Sequence, residues 1–496
     1  MTNAIRKLSL LLGFARAGIL LVLVLFVIPA VARVSAAKSP PPPSTGSSFA
    51  TAYSVPYSYS VAKSISQASS GGFVVGALCS AAAATTPNCN GPATVLRVDS
   101  SGNIQSQTQY SYGNGPQSTA LNVLKATSDG GAIFAGQPQF GCPALNLSSC
   151  GAIVKVNSTG KVQWANNLLF ATSATPYSSP LTWPFDIQQT TDGGFVLVGY
   201  AIAPGENYNP WIAKLSSTGQ LQWTHVFVDP KSQYSAAYSV RQTADGGYIV
   251  GGEVSYVVTS SYTESEITVF KLDSTGTLVW QRDYAAGVDA YFQSLALTSD
   301  GGAIVSGTVS TQKTATTYTS SVLLLKLDPT GKAQFARTIL PSGNISDLNI
   351  VGVQQTADGG YAFAGYYFQN TAYTERAWLV KTDSAGKVQW DNIYGPDVQY
   401  SNRYFNSFQQ TSDSGFIAAG STNQFNGGTN SIWLVKTDSN GNLSNCADVH
   451  KDSAATGSIA VTVSNGNLSA VQDSLSYVAD SLILSSAPLA ATKECW

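Results

Sequence analysis

Few side chains in this sequence can carry acid–base or nucleophilic chemistry. The 496-residue chain has two histidines, His225 and His450. His225 follows Trp223 in an apolar segment and His450 lies beyond the repeated part of the chain, so a Ser-His-Asp arrangement has little support. The glutamates are Glu206, Glu253, Glu264, Glu266, Glu375 and Glu494. A glycosidase needs two carboxylates at a controlled separation. Glu253, Glu264 and Glu266 share one region and are the nearest candidates, with a solvated loop as the plainer reading. No glycine loop is left over to cradle a phosphate, because every Gly pair is explained by a turn. No residue is assigned a catalytic role, and the weight lies against an enzyme.

Metal and cofactor chemistry fare no better. The six cysteines lack CxxC-type spacing, and their even number favours disulfides in an exported chain. The expected pairs are Cys79–Cys89, Cys142–Cys150 and Cys446–Cys495. Turns such as Asp273-Ser274-Thr275-Gly276 offer one carboxylate each, which suits an Asx-type turn and not a calcium loop. No metal and no cofactor are expected.

Aromatic residues are the better candidates for contact with a ligand. Tyr256, Tyr262, Tyr318, Tyr366, Tyr367, Tyr373 and Tyr400, with Trp183, fall in segments of variable length. Tyrosine joins a flat apolar face to a polar tip, which suits sugars or peptides. The plainer reading is ordinary surface decoration.

An internal repeat must position these residues. Asp-Gly-Gly begins at Asp129, Asp192, Asp245, Asp300 and Asp358, with degenerate copies at Ser70-Gly71-Gly72 and Asp413-Ser414-Gly415, spaced 53–63 residues apart. Each unit reads as strand, Asp-Gly-Gly turn, strand, variable loop, strand, Asp-x-x-Gly turn, strand. Tight turns of this kind use glycine for its access to positive φ. Four short strands repeated seven times predict a seven-bladed β-propeller of four-stranded antiparallel blades. Five positions before the turn stand Ile65, Leu124, Ile187, Val240, Leu295, Val353 and Phe408, all apolar as an inner strand requires. Three positions before it, Gln67, Gln189, Gln242, Gln355 and Gln410 recur, and are read as satisfying backbone groups of adjacent blades.

Two further expectations concern the repeat. Phe49-Ala50-Thr51-Ala52-Tyr53 resembles the outer-strand pattern Trp390-Asp391-Asn392-Ile393-Tyr394, so the N-terminal strand should complete the seventh blade and remove its exposed edge. A basic residue precedes every second turn (Arg97, Lys155, Lys214, Lys271, Lys326, Lys381 and Lys436) and should pair with the first-turn aspartate, as Lys271 with Asp245. A binding ring of lysines is the sharper alternative.

The units resemble the blades of secreted bacterial and archaeal β-propeller proteins with Asp-Gly-Gly and Lys-Leu-Asp-x-x-Gly elements, over about residues 49–445. Their ends are also similar to the tryptophan-docking repeat of quinoprotein dehydrogenases. Trp164, Trp223, Trp280 and Trp390 match the docking tryptophan, whereas Ser106, Phe335 and Asn445 depart from it. The resemblance implies blade packing. It brings no quinone site, since there is no adjacent cysteine pair and no CxxCH, and it supplies no catalytic residues.

The ends and the composition fix the remaining expectations. Arg6 and Lys7 precede an apolar run to Ala32, and Val34-Ser35-Ala36 suits signal peptidase, so residues 1–36 read as a signal peptide or, alternatively, a membrane anchor. Residues 37–48 are a Pro/Ser-rich linker, 49–451 the propeller, and 452–496 a C-terminal β extension tied by a disulfide, which could pack on the propeller or mediate surface assembly. Charged residues are 11% of the chain against roughly 25% in typical soluble proteins. Without residues 1–36, 22 basic residues face 28 acidic ones, so nucleic acid is a poor partner. Asn146, Asn157, Asn344, Asn442 and Asn467 fit the glycosylation sequon. The expected function is an exported, extracellular or cell-surface binding module for a glycan or a surface protein, meeting the membrane only through an uncleaved N-terminus. The alternatives are a secreted propeller enzyme, hydrolase-, lyase- or quinoprotein-like, and a structural cell-envelope protein.

Overall fold

The computed structural model describes residues 48–493, apart from 55–58, 80–92, 113–120, 138–150, 172–181, 203–206, 260–261, 313–317, 396–397, 426–427, 445–448, 467, 472–473, 480–481 and 486–489. Residues 1–36 and most of the linker therefore lie outside the described part. So do five of the six cysteines, while Cys79 is described only as the last residue of strand Phe73–Cys79. Among the described residues the regular structure is all β, with no α-helix.

Each of the seven repeat units contributes one antiparallel sheet. In the third unit Thr182–Gln189, Phe195–Ile202, Tyr208–Leu215 and Leu221–Val228 pair in succession. The other six first strands are Ser60–Gln67, Val123–Ala126, Ser232–Gln242, Asp289–Leu297, Ile345–Gln355 and Arg403–Gln410. One parallel bridge, Tyr208 to Tyr234, joins the third and fourth sheets. The seventh sheet takes its fourth strand from the other end of the chain. Phe49–Ser54 pairs antiparallel with Ser431–Thr437, from Phe49 opposite Lys436 to Tyr53 opposite Ile432, as the sequence pattern predicts.

The first turn uses its two glycines for different reasons. Gly193 sits at φ +79°, a conformation that disfavours side chains. A Cβ on Gly194 would lie 2.3 Å from the Leu215 carbonyl oxygen and 2.4 Å from Lys214 Nζ. That close approach lets Lys214 reach Asp192 at 2.9 Å. The same pair recurs as Lys155–Asp129, Lys271–Asp245, Lys326–Asp300, Lys381–Asp358 and Lys436–Asp413, each at 2.8–2.9 Å. At Asp192 burial alone would raise the carboxyl. Hydrogen bonds from Lys214, Thr190 and the Gly194 N–H outweigh it and bring the group down to about 2. The first unit departs from this pattern, because Ser70 replaces the aspartate. Its Arg97 instead donates to the carbonyls of Gly130 and Asn157 in the second unit.

Consecutive sheets pack through three repeated devices. The first is the core: seven apolar clusters each straddle two neighbouring sheets. One of them joins Phe49, Tyr53, Ile417 and Leu434 of the seventh sheet to Ile65, Phe73 and Leu96 of the first. The second is docking of a last-strand aromatic onto the next sheet's Asp-x-x-Gly turn. Trp164 Nε1 donates to Ser217 O, Tyr284 to Gly331 O, Tyr394 to Gly441 O and Tyr53 to Gly102 O. The third is the glutamine before the first turn. Gln189, Gln242, Gln355, Gln410 and Gln67 each accept, at 2.7–3.2 Å, a backbone N–H from the turn of the preceding sheet. For Gln67 that preceding sheet is the seventh, through Ser412.

The C-terminal segment does not form a separate unit. Val449–Lys451 pairs with the sixth sheet, Ala455–Ser458 with the fifth, Val461–Ser464 with the fourth and Ser469–Val471 with the third. Ser474–Ala479 pairs with the second, Leu482–Ser485 with the first and Ala490–Lys493 with Phe49–Ser54 of the seventh. Every sheet of four strands, as expected, thus gains a fifth antiparallel strand from the C-terminal extension. The segment covers the edge that each last strand would otherwise leave open.

Candidate functional site

Strand polarity puts the second-to-third connections, and the links from one sheet to the next, opposite the glycine turns. Tyr373 and Tyr400 occupy two such connections, of the sixth sheet and of the link to the seventh. Their rings stack at 6.2 Å with an interplanar angle of 27°. They are 57% and 68% exposed, which marks them as surface and not core. Both have left-handed backbones, with φ of 50° and 62°. That conformation is uncommon for a bulky residue and costs on the order of 1–3 kcal/mol, which the surroundings must offset. Here the two connections are tied together: Thr374 Oγ1 meets Ser401 Oγ at 2.7 Å, and Glu375 and Asn402 form a parallel bridge. Tyr366 stands beside Tyr404 at 5.5 Å. Burial, then the charge of Asp347, raises the Glu375 carboxyl.

The other aromatic candidates scatter. Tyr367 is buried against Trp378 and donates to Asp452, so it is a core residue and cannot serve as an exposed contact. Tyr256, Tyr262, Tyr318 and Tyr366 lie on strands, not in loops, because their hairpins are longer than the repeat suggests. Tyr256 donates to Asp229 and Asp283, and Tyr262 to the Val288 carbonyl. The Tyr318 side chain lies outside the described residues. Trp183 stacks on Tyr200 at 5.6 Å, well away in sequence from the Tyr373–Tyr400 pair.

Glu253, Glu264 and Glu266 also sit on strands, which corrects the loop reading. Glu264 lies opposite Tyr256 and Glu266 opposite Val254, whereas Glu253 lies opposite Ile267. The twofold strand period therefore puts Glu253 on one face of the hairpin and Glu264 and Glu266 on the other. Burial lifts both the Glu253 and Glu266 carboxyls to about 7, yet the sheet separates them and they form no acid–base pair. Their protons are held more tightly in the folded chain than at the ordinary value of 4.5. Their contribution is thus fully present below pH 4.5 and is lost as pH rises towards 7. Denaturant unfolding at pH 5 and pH 7.5 should show Glu253→Gln losing about 1 kcal/mol less than the parent over that interval, after allowance for solvent screening. Equal losses would refute the assignment.

Sequence reasoning missed one arrangement. Four positions before each first turn stand Ser66, Lys125, Gln188, Arg241, Ala296, Gln354 and Gln409, and all seven line one cavity of 340 Å³. Behind its wall Asp186 is buried and pairs with Arg241 Nη1. Its Oδ1 accepts from the Ile187 N–H, and its Oδ2 also accepts from Ser239 and the Val240 N–H. Burial pushes the Asp186 carboxyl up, but Arg241 and Lys125 prevail and hold it below the ordinary carboxylate range. The available signal was the lysine and arginine at this position, one residue beyond the glutamines that drew attention. Among the described residues no group of three or more His, Cys, Asp or Glu could hold a metal ion.

Comparisons with known proteins assign the chain no role. No protein-family model matches it. No curated protein matches it either. A Bacteroides caccae protein of unknown function is similar at 13% identity over 60% of this chain and 89% of its own, with a TM-score of 0.33. A Dyadobacter fermentans protein of unknown function is similar at 9% identity over 78% and 97%, with a TM-score of 0.39. A puromycin hydrolase mutant complexed with PGG is similar at 12% identity over 73% of this chain and 50% of its own, with a TM-score of 0.41. These scores are too low to carry a functional argument.

Proposed function

We propose that the seven sheets are the blades of one β-propeller, and that the protein is exported and acts as a non-catalytic binding module at or outside the cell surface. The propeller reading is supported by the seven two-sheet cores and by contacts that run from the seventh sheet back to the first. Export is supported by the basic start and apolar run of residues 1–36. Binding rests on the exposed Tyr373–Tyr400 stack. Two large aromatic faces held open to water at a backbone cost suit a flat apolar partner surface, such as a sugar ring. A glycan is the ligand to test first, and a surface protein is the other class.

Glycan-array screening of the full chain, followed by titration of any hit, tests this reading. Replacing Tyr373 and Tyr400 by alanine should weaken the hit at least tenfold with the melting temperature unchanged. Undiminished binding would refute the choice of face, and an array without hits would refute the glycan and leave the protein ligand.

A further inference from the structure

We propose that the cavity shared by the seven first strands is a binding site for a small oxyanion, a carboxylate or inorganic phosphate, held between Lys125 and Arg241. The argument rests on the inventory of donors and acceptors around the cavity and is independent of the tyrosine pair.

The charged residues lining the cavity are Lys125 and Arg241, and no carboxylate lines it. The nearest acid, Asp186, neutralises one of the two cations, and its oxygens are already taken by Arg241, Ser239 and two backbone N–H groups. Lys125 and Arg241 together can carry one more charge than Asp186 neutralises, and burial lowers the Lys125 ammonium, so that charge is favoured only with an anion beside it. The amides point to the same conclusion. Gln188, Gln354 and Gln409 each commit Oε1 to a backbone N–H of the next sheet, those of Gln242, Gln410 and Gln67. An N–H can only donate, so these contacts fix which end of each amide faces the backbone. What remains of each side chain is its NH₂ group, a donor. The lining thus combines Lys125 and Arg241 with three amide donors, while the Oε1 atoms of those amides are occupied. An oxyanion is the chemistry that satisfies such a surface, because a buried charge needs a partner and donors need acceptors. The cavity volume of 340 Å³ leaves room for a carboxylate or phosphate group with bound water.

The test measures melting temperature and isothermal titration of the full chain with sodium phosphate and with sodium acetate, against sodium chloride at matched ionic strength. Phosphate or acetate should raise the melting temperature above the chloride control, and which of the two does so identifies the anion. Lys125→Met keeps the Asp186–Arg241 pair and the side-chain length, and should weaken binding at least tenfold. Gln354→Glu keeps an acceptor for the Gln410 N–H, sets a carboxylate on the wall, and should weaken binding likewise. If Lys125→Met fails to fold, Gln354→Glu decides alone. Stabilisation no greater than that of chloride, or binding undiminished in the folded variants, would overturn the proposal.

Discussion

A chain ending at Ser444 is expected to associate with further copies of itself. Removing residues 445–496 strips one strand from each of seven sheets at once. Each last strand then presents unpaired N–H and C=O groups, a template for pairing with another copy. Each lost backbone hydrogen bond costs about 1 kcal/mol net, partly offset by the freed segment's entropy of about 1–2 kcal/mol per residue. The larger effect is therefore on association and cooperativity. Light scattering coupled to size exclusion should show concentration-dependent oligomers, and the melting temperature should fall by roughly 10 °C or more. A monomeric truncation with the parent's melting curve would show that the added strands are dispensable. The neighbouring prediction is local: Ala490–Lys493 covers the Phe49–Ser54 strand, so that joint should loosen as well.

Asp186→Ala is the second large effect. The substitution removes the partner of Arg241 and the acceptor of the Ile187 and Val240 N–H groups in one step. Breaking a buried pair from one side leaves an uncompensated charge, which typically costs about 3–5 kcal/mol. Urea unfolding should show a loss of that size. Lys125→Met, which removes a cation that burial disfavours and leaves Asp186 paired with Arg241, should change stability by less than about 1 kcal/mol in the absence of added anion. A mild Asp186→Ala phenotype would mean that water in the cavity solvates Arg241 well enough to replace the carboxylate.

Much of this fold is legible in the residues because the repeat is local. Asp-Gly-Gly marks turns whose two glycines answer separate needs, a positive φ and a close carbonyl. The lysine before the second turn reports the register of two neighbouring strands, and the glutamine before the first turn reports the next sheet. The N-terminal strand is legible because Phe49–Tyr53 copies the pattern of Trp390–Tyr394. The β character of the C-terminal segment is legible too, but the docking of its strands is not, since they run only three to six residues and their partners lie from 55 to 442 positions earlier. So short a run carries nothing that identifies its partner sheet. Tyr367 and Glu253 were misplaced for a related reason. The hairpins of the fourth and sixth units extend well beyond the repeat, so positions that count as loop become strand. The donor-lined cavity was missed because adjacent positions on a strand face opposite ways, and the glutamines at one position hid the cations at the next.

The C-terminal strands visit the sheets in the order sixth, fifth, fourth, third, second, first, seventh, against the direction in which the chain lays them down. A polypeptide that emerges N-terminus first must therefore have all seven docking edges in place before its final residues can be threaded home. Pulling on this segment would release its strands one sheet at a time, as a zip opens, and would bare the core that Leu468 helps to cover between the third and fourth sheets.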